Sequence, residues 1–188
     1  MKHQPLFEKV AVIGLGIIGS SLCHVMKREG LAGLIAGSAR TKETLDTALG
    51  IGFINTGHDT ARAAVEGADL IVLATPVGAN STLAKQIAPS LKKGAIITDV
   101  GSVKMSVIRD VQPHLPDGVH LVPGHPVAGT EYSGPESGFA ELFENRYCIL
   151  TPPDGVDQNA VDKVRQLWRA ANSIVEIMDA DHHDRVLA

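Results

Sequence analysis

The chain has 188 residues, 44% of them hydrophobic, enough to bury one core of ordinary domain size. Its 17 Lys and Arg against 21 Asp and Glu give a formal net charge of −4, with no basic run or aromatic-plus-arginine stripe, so a small-molecule ligand is expected rather than nucleic acid. The two cysteines, Cys23 and Cys148, lie far apart without C-x-x-C spacing, which argues against a disulfide framework or a zinc site and fits a reducing cytoplasm.

The opening "MKHQPLFEKVAVIGLGIIGSSL" has a lysine ahead of an apolar run, as a signal peptide does, but Glu8 and Lys9 interrupt it. Apolar runs all fall short of the roughly 18 residues that suggest a membrane span. "KVAVIGLG" reads as a strand ending in glycines, followed by a helix over 17–28 stopped at Gly30. "LIAG" (34–37) reads as a second strand, 41–49 as a helix closed by Gly50, and "GFI" (52–54) as a third strand. "ADLIVLATP" (68–76) is a continuous apolar run suited to a parallel strand covered on both faces. A helix over 79–91, a strand "GAIITDV" (94–100) and a helix over 104–112 follow, then a sixth strand "VHLVPG" (119–124). After a proline-rich loop come a seventh strand "YCILTPP", a helix with Val161, Val164, Leu167, Trp168 and Ala171 on one face, and an eighth strand "SIVEIM". This alternation predicts an α/β, Rossmann-like, doubly wound and mostly parallel sheet. "DADHHDRVLA" reads as the start of a helix that the chain leaves unfinished, so a longer protein is expected.

Gly14, Gly16 and Gly19 make a G-x-G-x-x-G turn between the first strand and the first helix. The first glycine permits the tight turn, the second lets a pyrophosphate approach, and the third lets helix and strand pack closely, with Ile17 and Ile18 opening the helix whose N-terminus takes the phosphates. An NAD site usually carries an acid about 20 residues later to bind the ribose 2′-hydroxyl. Here "AGSARTK" offers Ser38, Arg40 and Thr41 and no acid between Gly30 and Lys42, which favours NADP over NAD. Alternatively, Arg40 is a solvated helix-entry residue that stacks on the adenine of either cofactor. Thr75 and Pro76 end the fourth strand at the ligand-binding edge, facing the nicotinamide-side ribose, or simply form a polar strand end with a proline turn. "TDVGSVK" presents Ser102 and Lys104 at the same edge, and Ser102 also suits a helix N-cap.

In "PGHPVAGTEYSGP" (123–135), His125 stands between two prolines that restrict the backbone, one way to hold an acid/base group in a productive geometry. Glu131 is placed to orient the imidazole, to meet a polar substrate, or simply to be solvated. His3, His24, His58, His114 and His120 have no partner pattern. His182 and His183 are adjacent, so on a helix they point different ways and joint metal coordination is not expected. P-loop, G-x-S-x-G and H-E-x-x-H motifs are absent.

In this order, "VAVIGLGIIGSSL", "ADLIVLATPV", "TDVGSVK", "GHPVAGTEYSGP" and "DADHHDRVLA" resemble the prephenate/arogenate (cyclohexadienyl) dehydrogenase family of tyrosine biosynthesis, over nearly the whole chain. The resemblance implies a dinucleotide-binding domain over residues 1–178, with 179–188 starting the connection to a helical dimerisation domain beyond the chain, and hence a homodimer. It implies that His125 bonds the ring 4-hydroxyl and takes its proton as hydride leaves, that Ser102 supports this histidine, and that Thr130 and Glu131 lie in a loop closing over the substrate. The implied cofactor is NAD or NADP, and an arginine from the helical domain is expected to meet a substrate carboxylate. Many NAD-using members have an aspartate shortly before the arginine after the second strand; Ala39 precedes Arg40 here, which supports NADP or dual use. The rival readings are another dehydrogenase of the 6-phosphogluconate-dehydrogenase-like group acting on a β-hydroxyacid, and a NADP-sensing module without catalysis.

Overall fold

Residues 10–13 and 70–73 send alternate side chains to opposite sides, and both sides are apolar, so these strands can only sit inside a sheet covered on two faces. The computed structural model, which describes residues 4–187, shows this arrangement; His3 lies outside the described residues. Val10, Val12, Leu70 and Val72 join a core with Leu22, Met26, Leu45, Val164 and Trp168. Ala11, Ile13, Ile71 and Leu73 join a second core with Val65, Ala84, Ile87, Val107 and Val111.

The first half runs β1 (Phe7–Ile13), α1 (Ile17–Arg28), β2 (Ala32–Ser38), α2 (Lys42–Ile51), β3 (Thr56–His58), α3 (Ala61–Val65) and β4 (Leu70–Leu73). It continues through α4 (Asn80–Ile87), β5 (Ile96–Asp99), α5 (Lys104–Val111) and β6 (His120–Leu121). These six strands form one sheet in the order β3-β2-β1-β4-β5-β6, and every pairing is parallel. The order reverses direction between β1 and β4, the place where open α/β sheets bind ligands at the carboxyl ends of their strands. The two cores place α1, α2 and the later α6 (Gln158–Ala170) on one face of the sheet and α3, α4 and α5 on the other.

Several details differ from the sequence reading, which had no counterpart of α3. The third strand is Thr56–His58 rather than 52–54; Phe53 and Ile54 are buried as core residues of the loop before it. The helix before them runs on to Ile51 and closes at Gly52, whose φ of +86° suits glycine, rather than at Gly50. The sixth strand breaks in two. Pro123 has no N–H to continue a parallel ladder, and the chain bends into β7 (Gly124–Pro126), which pairs antiparallel with β8 (Tyr147–Leu150). With β9 (Ile174–Ile177), parallel to β8, these strands make a separate three-stranded sheet, so the seventh and eighth predicted strands do not extend the main one. α7 (Ala180–Leu187) packs against α5. No helix among the described residues is long and apolar enough to cross a membrane.

Candidate active site

The glycine turn has the backbone geometry its spacing implies. Gly14 has φ +97°, and a Cβ there would run into the Ala74 backbone and stand 3.1 Å from Thr75 Cγ2, so the turns after β1 and β4 lie in contact. A Cβ on Gly19 would collide with the Gly14 carbonyl oxygen. Gly16 faces open space within 4 Å and begins α1 with no side chain capping its N–H groups. Backbone donors at the positive end of a twelve-residue helix, in front of a position without a side chain, are what a pyrophosphate requires. The Thr75 hydroxyl is buried and unpartnered among the described residues, so a ribose or nicotinamide group would satisfy an otherwise orphaned donor. These features fit a dinucleotide.

A cleft of about 430 Å³ opens beside this turn, lined by Ile13, Ser38, Arg40, Asp59, Thr82 and Leu83 among others. Its largely apolar walls suit an adenine, and its rim carries the residues that would read the adjoining ribose. Ser38 is buried, with its carbonyl accepting from Gly14 N–H at 2.9 Å. Arg40 is exposed and forms no ion pair among the described residues. Thr41 caps α2, its hydroxyl accepting from Thr44 N–H. Asp59, just past β3, brings a carboxylate to the wall of this cleft, where the chain after β2 has none. A search confined to the second strand's end could not find it.

Contacts then run along the carboxyl edge toward His125. Gly101, after β5, lies against Val77, after β4. Asp99, the last residue of β5, accepts from Gly124 N–H at 3.1 Å and from Gly101 N–H at 2.8 Å. Lys104 Nζ donates to Asp99 Oδ2 at 2.5 Å and to the Gly124 carbonyl at 2.7 Å. This wholly buried pair replaces, at the bend before His125, the ladder bonds that the broken sixth strand gives up. Burial pushes the Asp99 carboxyl up and the Lys104 ammonium down, and their mutual contact opposes both shifts. The sequence reading placed Lys104 at the edge but not in the core, and the five-residue spacing Asp99-to-Lys104 across a strand-to-helix turn was its only signal.

His125 itself lies in β7 rather than in a loop, half-buried and paired opposite Ile149. Its Nδ1 is 2.8 Å from His183 Nε2, and His183 Nδ1 is 2.8 Å from Asp184 Oδ1. Asp184 also accepts from Lys104 N–H at 2.7 Å and Met105 N–H at 2.9 Å, and so caps α5 from a helix eighty residues away. Ser102 therefore is not the cap: Val103 holds that position without a side-chain bond, and Ser102 is exposed, its hydroxyl without a hydrogen-bond partner among the described residues. His182 is exposed while His183 is buried, diverging as helix geometry requires. Burial, then the neighbouring His183 and Lys104, push His125 down to about 4 against the pull of Asp184.

The segment after His125 does not return to the ring. Thr130 and Glu131 are exposed, Thr130 Oγ1 accepts from Tyr132 N–H at 3.2 Å, and the ring's orienting partner is His183 rather than Glu131. Beyond them the chain folds onto α1, where Phe139 N–H donates to Ser21 Oγ at 3.1 Å. Pro76 is exposed beside half-buried Thr75. Ile17 and Ile18 are half-buried at the start of α1.

Comparison with known proteins agrees with this geometry. Residues 22–177 match the family model described as prephenate dehydrogenase, nucleotide-binding domain. A cyclohexadienyl dehydrogenase of Zymomonas mobilis is 39% identical over 183 residues, covering 97% of this chain and 62% of the relative. The structure of prephenate dehydrogenase from A. aeolicus, in complex with hydroxyphenyl propionate and NAD+, superposes with a TM-score of 0.87 at 31% identity, covering 95% of this chain and 62% of that one. Arogenate dehydrogenase of Synechocystis superposes with a TM-score of 0.87 at 26% identity, covering 94% and 62%. The chain thus spans about three fifths of the length of these relatives. It belongs to the prephenate dehydrogenase family, whose nucleotide-binding domain it contains.

Proposed function

We propose that this chain carries the cofactor site and the catalytic base of an enzyme that oxidatively decarboxylates prephenate, arogenate or both. The observation that carries the reading is His125: a half-buried imidazole, uncharged at neutral pH, on the strand that leaves the carboxyl edge beside the turn after β5. A base has to be unprotonated and held in place before substrate arrives. NAD(P)+, when bound, supplies the hydride acceptor. Gly16 and the N–H groups of Ile17 and Ile18 would hold its pyrophosphate, Gly14 and Gly19 allowing the turn that presents them, and Thr75 and Pro76 would border the nicotinamide-side ribose. His125 takes the proton of the ring 4-hydroxyl while hydride leaves the same carbon, which becomes a carbonyl. The carboxylate on the opposite ring carbon then departs as CO2, and its bonding electrons complete the aromatic ring. Ser102, matched by motif to the serine that supports this base, lies on the same edge; Thr130 and Glu131 belong to the loop that closes over the substrate.

For the cofactor, Ser38, Arg40 and Thr41 support a preference for NADP, since an unpaired guanidinium at the rim suits a 2′-phosphate. Asp59 favours a second reading, dual use, because its carboxylate would accept from the free 2′-hydroxyl of NAD. Residues 1–178 make up the nucleotide-binding domain, 179–188 begin the connection to a helical domain, and the complete protein is a homodimer. The test is reduction of NAD(P)+ with prephenate and with arogenate by the longest natural form of the protein. His125→Asn should lower turnover about 10²- to 10⁴-fold. Activity on a 3-hydroxyacid but on neither cyclohexadienol would overturn the reading.

A further inference from the structure

α7 brings a histidine and an aspartate to the back of the His125 ring, and the direction of each bond between them can be worked out. Asp184 is held as a carboxylate: burial works against ionisation, but the Lys104 N–H, His183 and the Met105 N–H outweigh it and keep the group below the usual range. A carboxylate only accepts, so the proton in its 2.8 Å bond belongs to His183 Nδ1. His183 is wholly buried and has a partner at each ring nitrogen, Asp184 on one side and His125 on the other. A neutral imidazole has one N–H, which leaves a lone pair on His183 Nε2. The 2.8 Å contact between that atom and His125 Nδ1 then needs its proton from His125.

We infer that His183 is a positioning residue that fixes His125 as the Nδ1-protonated tautomer and leaves Nε2, which has no hydrogen bond among the described residues, as the site that accepts the substrate proton. The tautomer assignment rests on the hydrogen bonds that join Asp184, His183 and His125; its catalytic meaning rests on the reading of His125 as the base. Without His183 the ring would be free to rotate and to exchange tautomers, and the fraction presenting a bare Nε2 would fall. When Nε2 takes a proton, the ring stays bonded through Nδ1–H to His183, whose own Nδ1–H remains on Asp184. No proton has to leave the chain of three residues for the step to occur. Lys104, Asp99 and Asp184 are the other charged groups around this pair.

Long-range ¹H–¹⁵N spectra of the imidazoles in this chain, at pH 8, test the assignment directly, because couplings to the ring hydrogens show which nitrogen carries the proton. His125 and His183 should both be neutral and Nδ1-protonated. A proton on His125 Nε2, or a doubly protonated His183, would overturn the inference whatever the enzyme assay shows. His183→Leu should let the His125 tautomers mix, while His183→Gln, whose amide oxygen can accept from Nδ1–H, should keep the wild-type pattern. In a form that turns over a cyclohexadienol, His183→Leu should lose at least about tenfold in kcat, short of the 10²- to 10⁴-fold expected for losing the base, with KM for NAD(P)+ unchanged. His183→Gln should recover most of it. Equal activity of Leu and Gln variants would sink the positioning role. Absence of turnover in every form, with the tautomers as assigned, would instead fail the functional reading and leave the geometric assignment standing.

Discussion

Lys104→Met isolates the buried pair that holds the bend before His125. The change keeps a flexible chain of similar length but deletes the bonds from Nζ to Asp99 and to the Gly124 carbonyl. It leaves a carboxylate with essentially no exposure, still accepting from the Gly101 and Gly124 N–H groups but facing no cation. Removing one partner of a buried pair costs about 3–5 kcal/mol, which for a chain of this size lowers Tm by roughly 6–20 °C. The loss should depend on pH. Burial raises Asp99 in the folded state, and without the ammonium nothing but two N–H groups opposes that rise. A folded carboxyl raised above its unfolded value contributes fully below the unfolded range, near pH 4, and the contribution is lost as pH climbs through the folded value. The variant should therefore lose more stability, relative to wild type, at pH 8 than at pH 5. Asp99→Asn combined with Lys104→Met leaves an acceptor for one of the two N–H groups and no stranded charge, so it should recover part of the loss. Urea unfolding of the three proteins at both pH values decides the matter. A single variant within about 1 kcal/mol of wild type, or a double variant no better than the single, would refute the claim that a compensated charge holds this bend.

Two glycines of the nucleotide turn should behave in opposite ways. Gly16→Val meets open space in an extended backbone, so it should cost about 1 kcal/mol or less, as a poor N-cap does, and yet weaken NAD(P)+ binding by about tenfold or more in calorimetric titration. Gly19→Ala drives a methyl into the Gly14 carbonyl and should cost about 1–3 kcal/mol in stability as well as binding; similar melting of the two variants would contradict these roles. Arg40→Ala should weaken NADP+ by about 10- to 100-fold, the worth of a charge-assisted bond to a 2′-phosphate, and leave NAD+ nearly unchanged. Equal losses for both cofactors would remove Arg40 from that role.

How far the fold could be read from the sequence depended on where its signals lay. Strands buried on two faces announce themselves as continuous apolar runs, so "ADLIVLATP" yielded β4, and the glycine spacing located the turn after β1. α3 is only five residues long and "GFI" is apolar because the core needs it, so periodicity in this region gave a strand too early and missed the helix. The end of the main sheet was hidden for another reason. "VHLVPG" looks like one strand, and only the partner of Gly124, a side chain from β5 rather than a neighbouring strand, shows that the ladder has stopped.

The same distinction separates the parts of the site that could be found from those that could not. Gly14, Gly16, Gly19 and His125 stand beside their own local signals: a turn spacing, a pair of prolines. Asp59, Asp99, Lys104, His183 and Asp184 act through partners 5 to 80 residues away or across a sheet edge, and such pairings leave no local pattern. Their placement follows from one event, the departure of the chain from the main sheet at Pro123. Had β6 continued, Gly124 and His125 would have spent their backbone groups on a parallel ladder against β5, and the imidazole would have faced one of the two helix layers. Because it bends, Asp99 and Lys104 must satisfy Gly124, α5 must start where Lys104 can turn inward, and the N–H groups opening α5 need an acceptor from elsewhere. Asp184 supplies that acceptor, and its neighbour His183 arrives at the His125 ring as a consequence. Residues 180–187 are therefore part of what holds this histidine, and a chain ending at residue 178 would leave α5 uncapped and Nδ1 of His125 without its partner.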